Sequence, residues 1–312
     1  MTFDAWRHRF AVATVAATLA LIFIGGLVTS TGSGLSVPDW PLSYGMLMPP
    51  MVGGVFYEHG HRMAATTVGF LTLVLAVWTA RVEPRRGVRR LAWAALAAVI
   101  TQGVLGGLTV IYLLPTPVSV AHACLAQLFF CSAIAIATAT SREWIDARPV
   151  EDVAGIRAAA MAATAAVFVQ LLVGAVMRHI GAGLAIPDFP TSFGRVVPPL
   201  DSAPVVVHFA HRIGALVVAT LVVRLAIVAR RAEDGRFRRP AALLVGLVVV
   251  QIALGAATVL TGKAVTPTTT HVAIGAAILG SCFWLALRAW RLLRRRAMAG
   301  ARSVGYAEAA VS

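Results

Sequence analysis

The sequence predicts an all-α protein that spans a membrane with eight helices, built as two four-helix bundles in parallel repeat. Two observations predict this fold. The 312 residues are 59% hydrophobic with a mean hydropathy of +0.82, far above the values of soluble domains. In addition, the second half of the chain repeats motifs of the first at an offset of 149 to 150 positions. We therefore place the N-terminal bundle at 1–149 and the C-terminal bundle at 150–312.

Eight segments account for the predicted helices. Each has about 20 mostly apolar residues, which is long enough to cross a bilayer. They begin near residues 10, 60, 91, 118, 155, 205, 240 and 267. The first is interpreted as a retained anchor, because it is long for a signal peptide and no clean cleavage site follows. The polar stretch from Ser141 to Arg157 predicts a linker with a short surface helix. The tail after Arg296 predicts disorder.

The distribution of arginine predicts the orientation of the helices. The net charge is +14, and most of the 27 basic residues lie at the N-terminus, in alternate loops and at the C-terminus. This is the positive-inside pattern, so both termini are expected on the cytoplasmic side of the inner (cytoplasmic) membrane. The charge therefore predicts contact with the lipid bilayer and no nucleic-acid partner. Because each half has four helices, both halves insert in the same direction, as a parallel repeat.

Two long loops on the predicted external side carry the repeated motifs. They run over about 29–56 and 178–203, which is too long for simple turns, and they predict a structured cap over each half. The prolines and aspartates in them are typical of fixed turn geometry. The motifs Gly34-Leu35, Pro38-Asp39-Trp40-Pro41 and Ser43-Tyr44-Gly45 recur as Gly183-Leu184, Pro187-Asp188-Phe189-Pro190 and Ser192-Phe193-Gly194.

Four histidines form the candidate site. His61 and His122 are 61 positions apart, and His211 and His271 repeat them 60 positions apart. Imidazole is costly in an apolar helix and is a common metal ligand. Each histidine is expected about one turn beyond its helix start, so each pair lies at matching depth. This pattern predicts two haem sites with histidine ligands to iron. Hydrogen bonds between helices are the alternative, whereas two ligands per half underfill a zinc site.

Glu58 differs between the halves. It stands one turn before His61 on the same helix face, and the aligned residue in the second half is His208. A carboxylate there could move protons or stabilise a cationic transition state, or it could only stabilise the helix N-terminus. Other repeated polar residues favour interhelical packing, snorkelling or contact with haem propionates; they are Gln102, Gln251, Arg62 and Arg212.

Taken together, these residues resemble the haem A synthase family. The motifs that carry the resemblance are Thr31-Gly32-Ser33-Gly34, Pro38-Asp39-Trp40-Pro41, Glu58-His59-Gly60-His61-Arg62, His122 and their second-half counterparts through His271. The family oxidises a ring methyl of haem O to the formyl group of haem A for assembly of haem-copper terminal oxidases. The resemblance implies a catalytic N-terminal half, with Glu58, His61 and His122 at the substrate haem. It also implies a permanent haem b on His211 and His271.

The resemblance also implies partners, and it has one departure. Haem O and the farnesyltransferase that produces it are the expected partners, and homo-oligomer formation is left open. Many members carry two cysteines in the first external loop, where this chain has Val37 and Ser43. Any thiol-based step proposed for the cysteine-bearing members therefore cannot operate here. The pattern of histidines alone leaves open a bis-histidine di-haem electron carrier of the cytochrome b type. A transporter is disfavoured because no intramembrane charged path supports it.

Overall fold

A computed structural model describes residues 3–152, 155–231 and 235–294, so the tail after Arg296 lies outside the described residues. The predicted all-α membrane fold is confirmed. Within the described ranges, eight helices are long and apolar enough to cross a membrane. The helices are α1 Ala5–Ser30, α2 Gly54–Val82, α3 Arg86–Ile111, α4 Thr116–Ala139, α5 Arg142–Ile145, α6 Ile156–His179, α7 Ala203–Arg231, α8 Arg238–Leu260 and α9 Val265–Leu292. The short helix α5 is the surface helix expected in the linker.

The helix starts follow local sequence. Asp4 precedes α1, and its carboxylate accepts hydrogen bonds from the backbone N–H groups of Trp6 and Arg7, both at 3.1 Å, as a side-chain cap does. Helix α4 follows Pro115 and carries Pro117 in its first turn, where a missing N–H costs nothing. Polar and small residues that precede the apolar segments thus belong to most of the helices: seven of the eight long helices begin two to six residues earlier than hydropathy alone predicts, and α6 begins one residue later.

The eight long helices pack as two rings of four. Helix α1 contacts α2 and α4, and α3 contacts α2 and α4; α6 to α9 make the same four contacts in the second half. Between the halves, α1 packs on α9, α4 on α6 and α4 on α9. Since α1 corresponds to α6 and α4 to α9, these contacts are related by a pseudo-twofold axis that passes between α4 and α9. This is the geometry of a parallel repeat.

Each ring has a loop end, which carries the long loop 31–53 or 180–202, and an opposite end that we call the terminal end. At the terminal end, Glu83 is 1% exposed and binds Arg7 at 3.1 Å and Arg85 at 2.7 Å. Burial by itself would raise the pKa of Glu83, but the hydrogen bonds and charge of Arg85, together with Arg7, lower it. Arg288 of α9 binds Glu143 of α5 at 2.6 Å. These ion pairs tie the linker and the interhelical turns to the bundles.

A two-residue parallel pairing supports the same region. Val150–Glu151 (β1) pairs with Leu293–Arg294 (β2), so the start of the second half is fixed to the end of α9. The pairing is too short to form a sheet layer. It leaves the all-α class unchanged and explains how the linker is held against the terminal end.

The two long loops fold alike. In the first, Ser43 and Met46 exchange backbone hydrogen bonds of 3.0 Å around Tyr44 and Gly45, whose φ angles are +53° and +70°. Two consecutive positive φ values define a type I′ turn, which glycine adopts without steric cost. Phe193 and Gly194 repeat it with φ values of +56° and +70°. Cis peptide bonds precede Pro41 and Pro190. The loops are therefore structured, as predicted.

One aspartate organises each of these turns. The carboxylate of Asp39 accepts hydrogen bonds from the N–H groups of Gly45 at 2.8 Å and Tyr44 at 2.6 Å. These amides hold the pKa of Asp39 below its usual value, Gly45 contributing most. Asp188 binds Gly194 and Phe193 in the same way, and its pKa is lowered too. The repeated aspartate therefore has a structural role in the loop.

Candidate haem sites

The four histidine rings share one environment at the loop end of the bundles. Each ring lies with its Cε1 atom against a glycine of a neighbouring helix, where a Cβ atom would be 3.0 to 3.2 Å away. The glycines recur at the repeat offset, as the histidines do. The pairs are Gly25 with His61, Gly106 with His122, Gly174 with His211 and Gly255 with His271. Four glycines thus make room for four imidazoles, and Gly25 and Gly174 were missed by the sequence analysis.

The histidines lie deeper than predicted. His61 is seven residues after Gly54, the first residue of α2, and His122 is six residues after Thr116. At 1.5 Å per residue these positions are about 10 Å along the helix, or two turns instead of one. His211 and His271 are at similar depth in α7 and α9. The matched depth within each pair holds, because all four helices begin earlier than the apolar segments.

The spacing of the second pair would leave room for one metal ion between the two rings. The ring centroids of His211 and His271 are 6.4 Å apart with an interplanar angle of 62°. Metal–imidazole bonds of about 2 Å, plus about 1.1 Å from each ring nitrogen to its centroid, give a separation of about 6 Å across one metal ion. The observed spacing therefore fits one iron atom between the rings. A planar macrocycle supplies the remaining four donors.

The first pair is brought together in the same way. His61 and His122 are close enough to interact electrostatically. Among the described residues, no group of three or more His, Cys, Asp and Glu side chains is placed to share a metal ion. In the part of each half that the structure describes, the two imidazoles therefore have no third side chain of these types placed to bind the same ion, a donor set that would suit haem iron.

Glu58 lies on α2 one turn before His61, and its carboxylate is already engaged. It is 4% exposed, accepts the backbone N–H of Val37 at 2.8 Å and binds Arg62 at 2.7 Å. In the second half, the N–H of Ile186 donates to Nδ1 of His208 at 3.2 Å. Glu58 and His208 thus accept the same loop hydrogen bond. Glu58 and His208 differ in chemistry, but they have the same structural role, because each anchors the loop of its half.

The arginines that follow the histidines hold the loops. Arg62 donates to the carbonyl oxygens of Asp39 and Leu42, both at 2.8 Å. Arg212 donates to those of Asp188 at 2.6 Å and Thr191 at 2.7 Å. Their guanidinium groups are therefore bound by loop carbonyls. This role differs from both propionate binding and snorkelling.

Gln102 and Gln251 make the interhelical hydrogen bonds expected of them. Their amides donate to the carbonyl oxygens of His122 and His271, both at 2.9 Å. The loop reaches the same region, because an added Cβ on Gly107 would lie 2.5 Å from Cδ2 of Trp40. Trp40 therefore packs on α3 next to the glycine that contacts His122. The sequence analysis missed this contact, although the second half pairs a smaller phenylalanine with Ala256 at the same positions.

The fold and the two sites define a class of protein: a polytopic membrane protein with a pair of facing histidines near one end of each of two repeated four-helix bundles. Comparison with known families agrees. A model of the family described as cytochrome oxidase assembly protein matches residues 8–54 and 51–283. The chain belongs to this family.

Individual relatives within this family give a more specific comparison. The chain is 34% identical to a haem A synthase of Symbiobacterium thermophilum, an alignment that covers 78% of this chain and 83% of the relative. It is 32% identical to a haem A synthase of Halalkalibacterium halodurans, over 81% and 87% of the two chains. A haem A synthase of Methylobacterium radiotolerans is 29% identical, over 85% and 84%. The similarity thus covers both bundles.

Proposed function

We propose that this chain oxidises the ring methyl group of haem O to the formyl group of haem A, for assembly of a haem-copper terminal oxidase. The observation that carries the proposal is the facing pair His211 and His271, repeated by His61 and His122, in a chain whose relatives are haem A synthases. Conversion of a methyl to a formyl group removes four electrons and adds one oxygen atom. The protein is therefore an oxidoreductase.

We further propose that the two halves have different tasks. In the N-terminal half, 1–149, His61 and His122 hold the iron of the substrate haem O, and Glu58 is the acidic group beside them. In the C-terminal half, 150–312, His211 and His271 hold a resident haem b, which supplies one-electron redox chemistry when bound. The asymmetry between Glu58 and His208 supports this division, because the position one turn before the first histidine carries a carboxylate in the N-terminal half and an imidazole in the C-terminal half.

The chain's own residues then perform three tasks. His61 and His122 would hold the substrate haem by its iron, and the loop residue Trp40 packs on α3 at Gly107, next to the glycine that contacts His122. Glu58 can accept a proton released as the methyl group is oxidised, if its bond to Val37 is exchanged for one to the substrate. Arg62 orients the carboxylate by direct contact at 2.7 Å.

The proposed setting is the inner (cytoplasmic) membrane with both termini on the cytoplasmic side. The arginine-rich terminal end would then face the cytoplasm, and the loop end with all four histidines the outside. Haem O carries a farnesyl-derived tail that keeps it in the bilayer. Delivery by the membrane farnesyltransferase that produces it is therefore the proposed route, and homo-oligomer formation stays a prediction.

The test is expression of the full chain in a host that makes haem O but no haem A, followed by chromatography of the extracted haems. Haem A in the expressing strain, and none in a strain with the empty vector, is the expected result. A purified protein that carries only unmodified haem b, with no haem A in its membranes, would instead indicate an electron carrier. Purification without any haem would overturn both functions.

A further inference from the structure

Arg178 is a partly buried cation beside the second histidine pair. It lies on α6 one turn beyond Gly174, the glycine that contacts the His211 ring, and is thus about 6 Å further along the helix towards the loop end. Its guanidinium group is also close enough to the His271 ring to interact with it electrostatically. A charged side chain inside a membrane-spanning helix is costly, and it generally marks a functional site.

The guanidinium group of Arg178 is not matched by an anion of the chain. Its Nη2 atom donates to the carbonyl oxygen of Gly26 at 3.3 Å and to the hydroxyl oxygen of Ser30 at 3.0 Å, both on α1. Among the described residues, no carboxylate lies within ion-pair distance of Arg178. A guanidinium group carries five N–H donors, so most of its donors remain available to a ligand. Because a partly buried charge is costly without a partner, the site calls for an anion.

The first half has a neutral residue at the equivalent place. Thr29 is aligned with Arg178, one turn beyond Gly25, which contacts the His61 ring. The arginines that both halves share are engaged elsewhere, because Arg62 and Arg212 donate to loop carbonyl oxygens. The cation beside the second histidine pair is therefore a feature that the repeat does not explain.

The anion that fits this place is a carboxylate of the haem itself. A haem whose iron lies between His211 and His271 carries two propionate groups at one edge. Charged groups are costly in the apolar interior, so this edge is expected at the polar loop end. Arginine matches the planar geometry of a carboxylate with two parallel N–H donors. Arg178 thus has the charge, the free donors and the position that a propionate requires.

We propose that Arg178 binds a propionate carboxylate of the haem held by His211 and His271. The inference rests on the proposed function only in placing a haem on these two histidines. Thr29 gives the first site no such ion pair, which suits a site that releases its haem after each turnover. A role limited to joining α6 to α1 through Ser30 would make the variant indifferent to the charge of the propionates.

The test measures the affinity of the purified full-length protein for two probes, haem b and its dimethyl ester, in which neither propionate carries a charge. All variants are made in a His61→Ala background, so that the low-spin absorption reports binding to the second pair. Arg178→Met removes the guanidinium group and keeps a side chain of similar length. Arg195→Met is the control, because Arg195 is exposed in the loop turn of the same half and is aligned with Met46.

We expect Arg178→Met to weaken haem b binding by about ten- to a hundredfold, the range of a hydrogen bond to a charged group, and not to weaken binding of the dimethyl ester. Arg195→Met should bind both probes like its parent. An equal loss for both probes in Arg178→Met would indicate a structural clamp and overturn the proposal, as would an unchanged affinity for haem b. If Arg178→Met does not accumulate, Arg178→Gln, which is polar and uncharged, takes its place with the same expectation.

These affinities do not depend on haem A synthesis, so the two proposals can fail separately. A loss of affinity for haem b alone in Arg178→Met, from a wild-type chain that makes no haem A, would preserve this inference and reject the proposed function. Haem A synthesis by the wild type, together with equal losses for both probes in Arg178→Met, would do the opposite.

Discussion

Glu58 and His208 occupy equivalent places and accept equivalent loop hydrogen bonds, from Val37 at 2.8 Å and from Ile186 at 3.2 Å. Anchoring the loop therefore does not require a carboxylate. What Glu58 adds is negative charge, balanced by Arg62, one turn before His61 on α2. Because either an acid or an imidazole can serve as the anchor, the two roles of Glu58 can be separated by substitution.

The first prediction concerns this separation. Glu58→Gln keeps an acceptor for the Val37 N–H, and Glu58→His copies the second half, so both should keep the loop in place. If the carboxylate acts on the substrate, both should lower haem A formation by about 10²- to 10⁴-fold, the usual range for acid-base groups, and keep haem b bound. Chromatography of extracted haems measures both quantities. Near-normal haem A in Glu58→His would show that loop anchoring is sufficient.

The second prediction concerns the histidines themselves. His211→Ala or His271→Ala removes one axial ligand from the proposed resident haem, so the purified protein should lose low-spin haem b absorption. His61→Ala and His122→Ala should leave that absorption largely intact and block haem A formation. Visible spectra of the purified variants, compared at equal protein concentration, measure the difference. If the two sets of variants exchanged their effects, the first half would be the resident site.

At the scale of the helices, four glycines set the space available to the rings. Gly255 on α8 lies against His271, whose Nδ1 is bonded to the carbonyl oxygen of Gln251 on the same helix. The ring therefore cannot move away from a new methyl group without losing that bond. Gly246 on the same helix has no atom within 4 Å of its Cβ position among the described residues, and it provides a matched control.

The third prediction follows from this spacing. Gly255→Ala places a Cβ atom 3.1 Å from Cε1 of His271 and should displace the ring. Overpacking of this kind costs about 1–3 kcal/mol, so haem b retention should fall about fivefold or more, at 1.4 kcal/mol per factor of ten. Gly246→Ala should retain haem b like the wild type. Haem content per protein after gel filtration is the measurement, and equal retention in both variants would contradict the steric argument.

The elements show what the sequence could and could not predict. Hydropathy predicted all eight spans, since about 20 apolar residues are needed to cross a bilayer, and the repeat identified both histidine pairs. Three helix starts, those of α1, α2 and α3, are five or six residues earlier than the apolar segments indicate and the others agree within two residues, because turn and cap residues carry no hydropathy signal. The contact of Gln170 on α6 with the His211 ring was missed, because the aligned residue in the first half is Leu21. The hydrogen bond from the backbone N–H of Val37 to Glu58 was also missed, because the spacing of motifs along the sequence does not show which loop groups contact a helix.

At the scale of the whole molecule, the duplication of the four-helix bundle explains why the two histidine sites resemble each other. The contacts of α1 with α9 and of α4 with α6 are equivalent under the repeat, so both histidine pairs lie at the same end of the bundles. Two haems held there would be on one side of the membrane rather than stacked across it. This arrangement favours chemistry shared between neighbouring sites over electron transfer from one face to the other.

The last prediction tests that arrangement in the membrane. A parallel repeat requires the two long loops to share one side, and the positive-inside pattern assigns the terminal end to the cytoplasm. Reporter fusions near Gly45 and Gly194 should therefore both report the external side. Fusions at four other sites should all report the cytoplasm: after Arg86, Arg148, Arg236 and Arg302. Paired alkaline phosphatase and fluorescent protein reporters measure this, because each is active on only one side. Opposite sides for Gly45 and Gly194 would contradict the parallel repeat, and a shared cytoplasmic location would invert the proposed orientation of both haem sites.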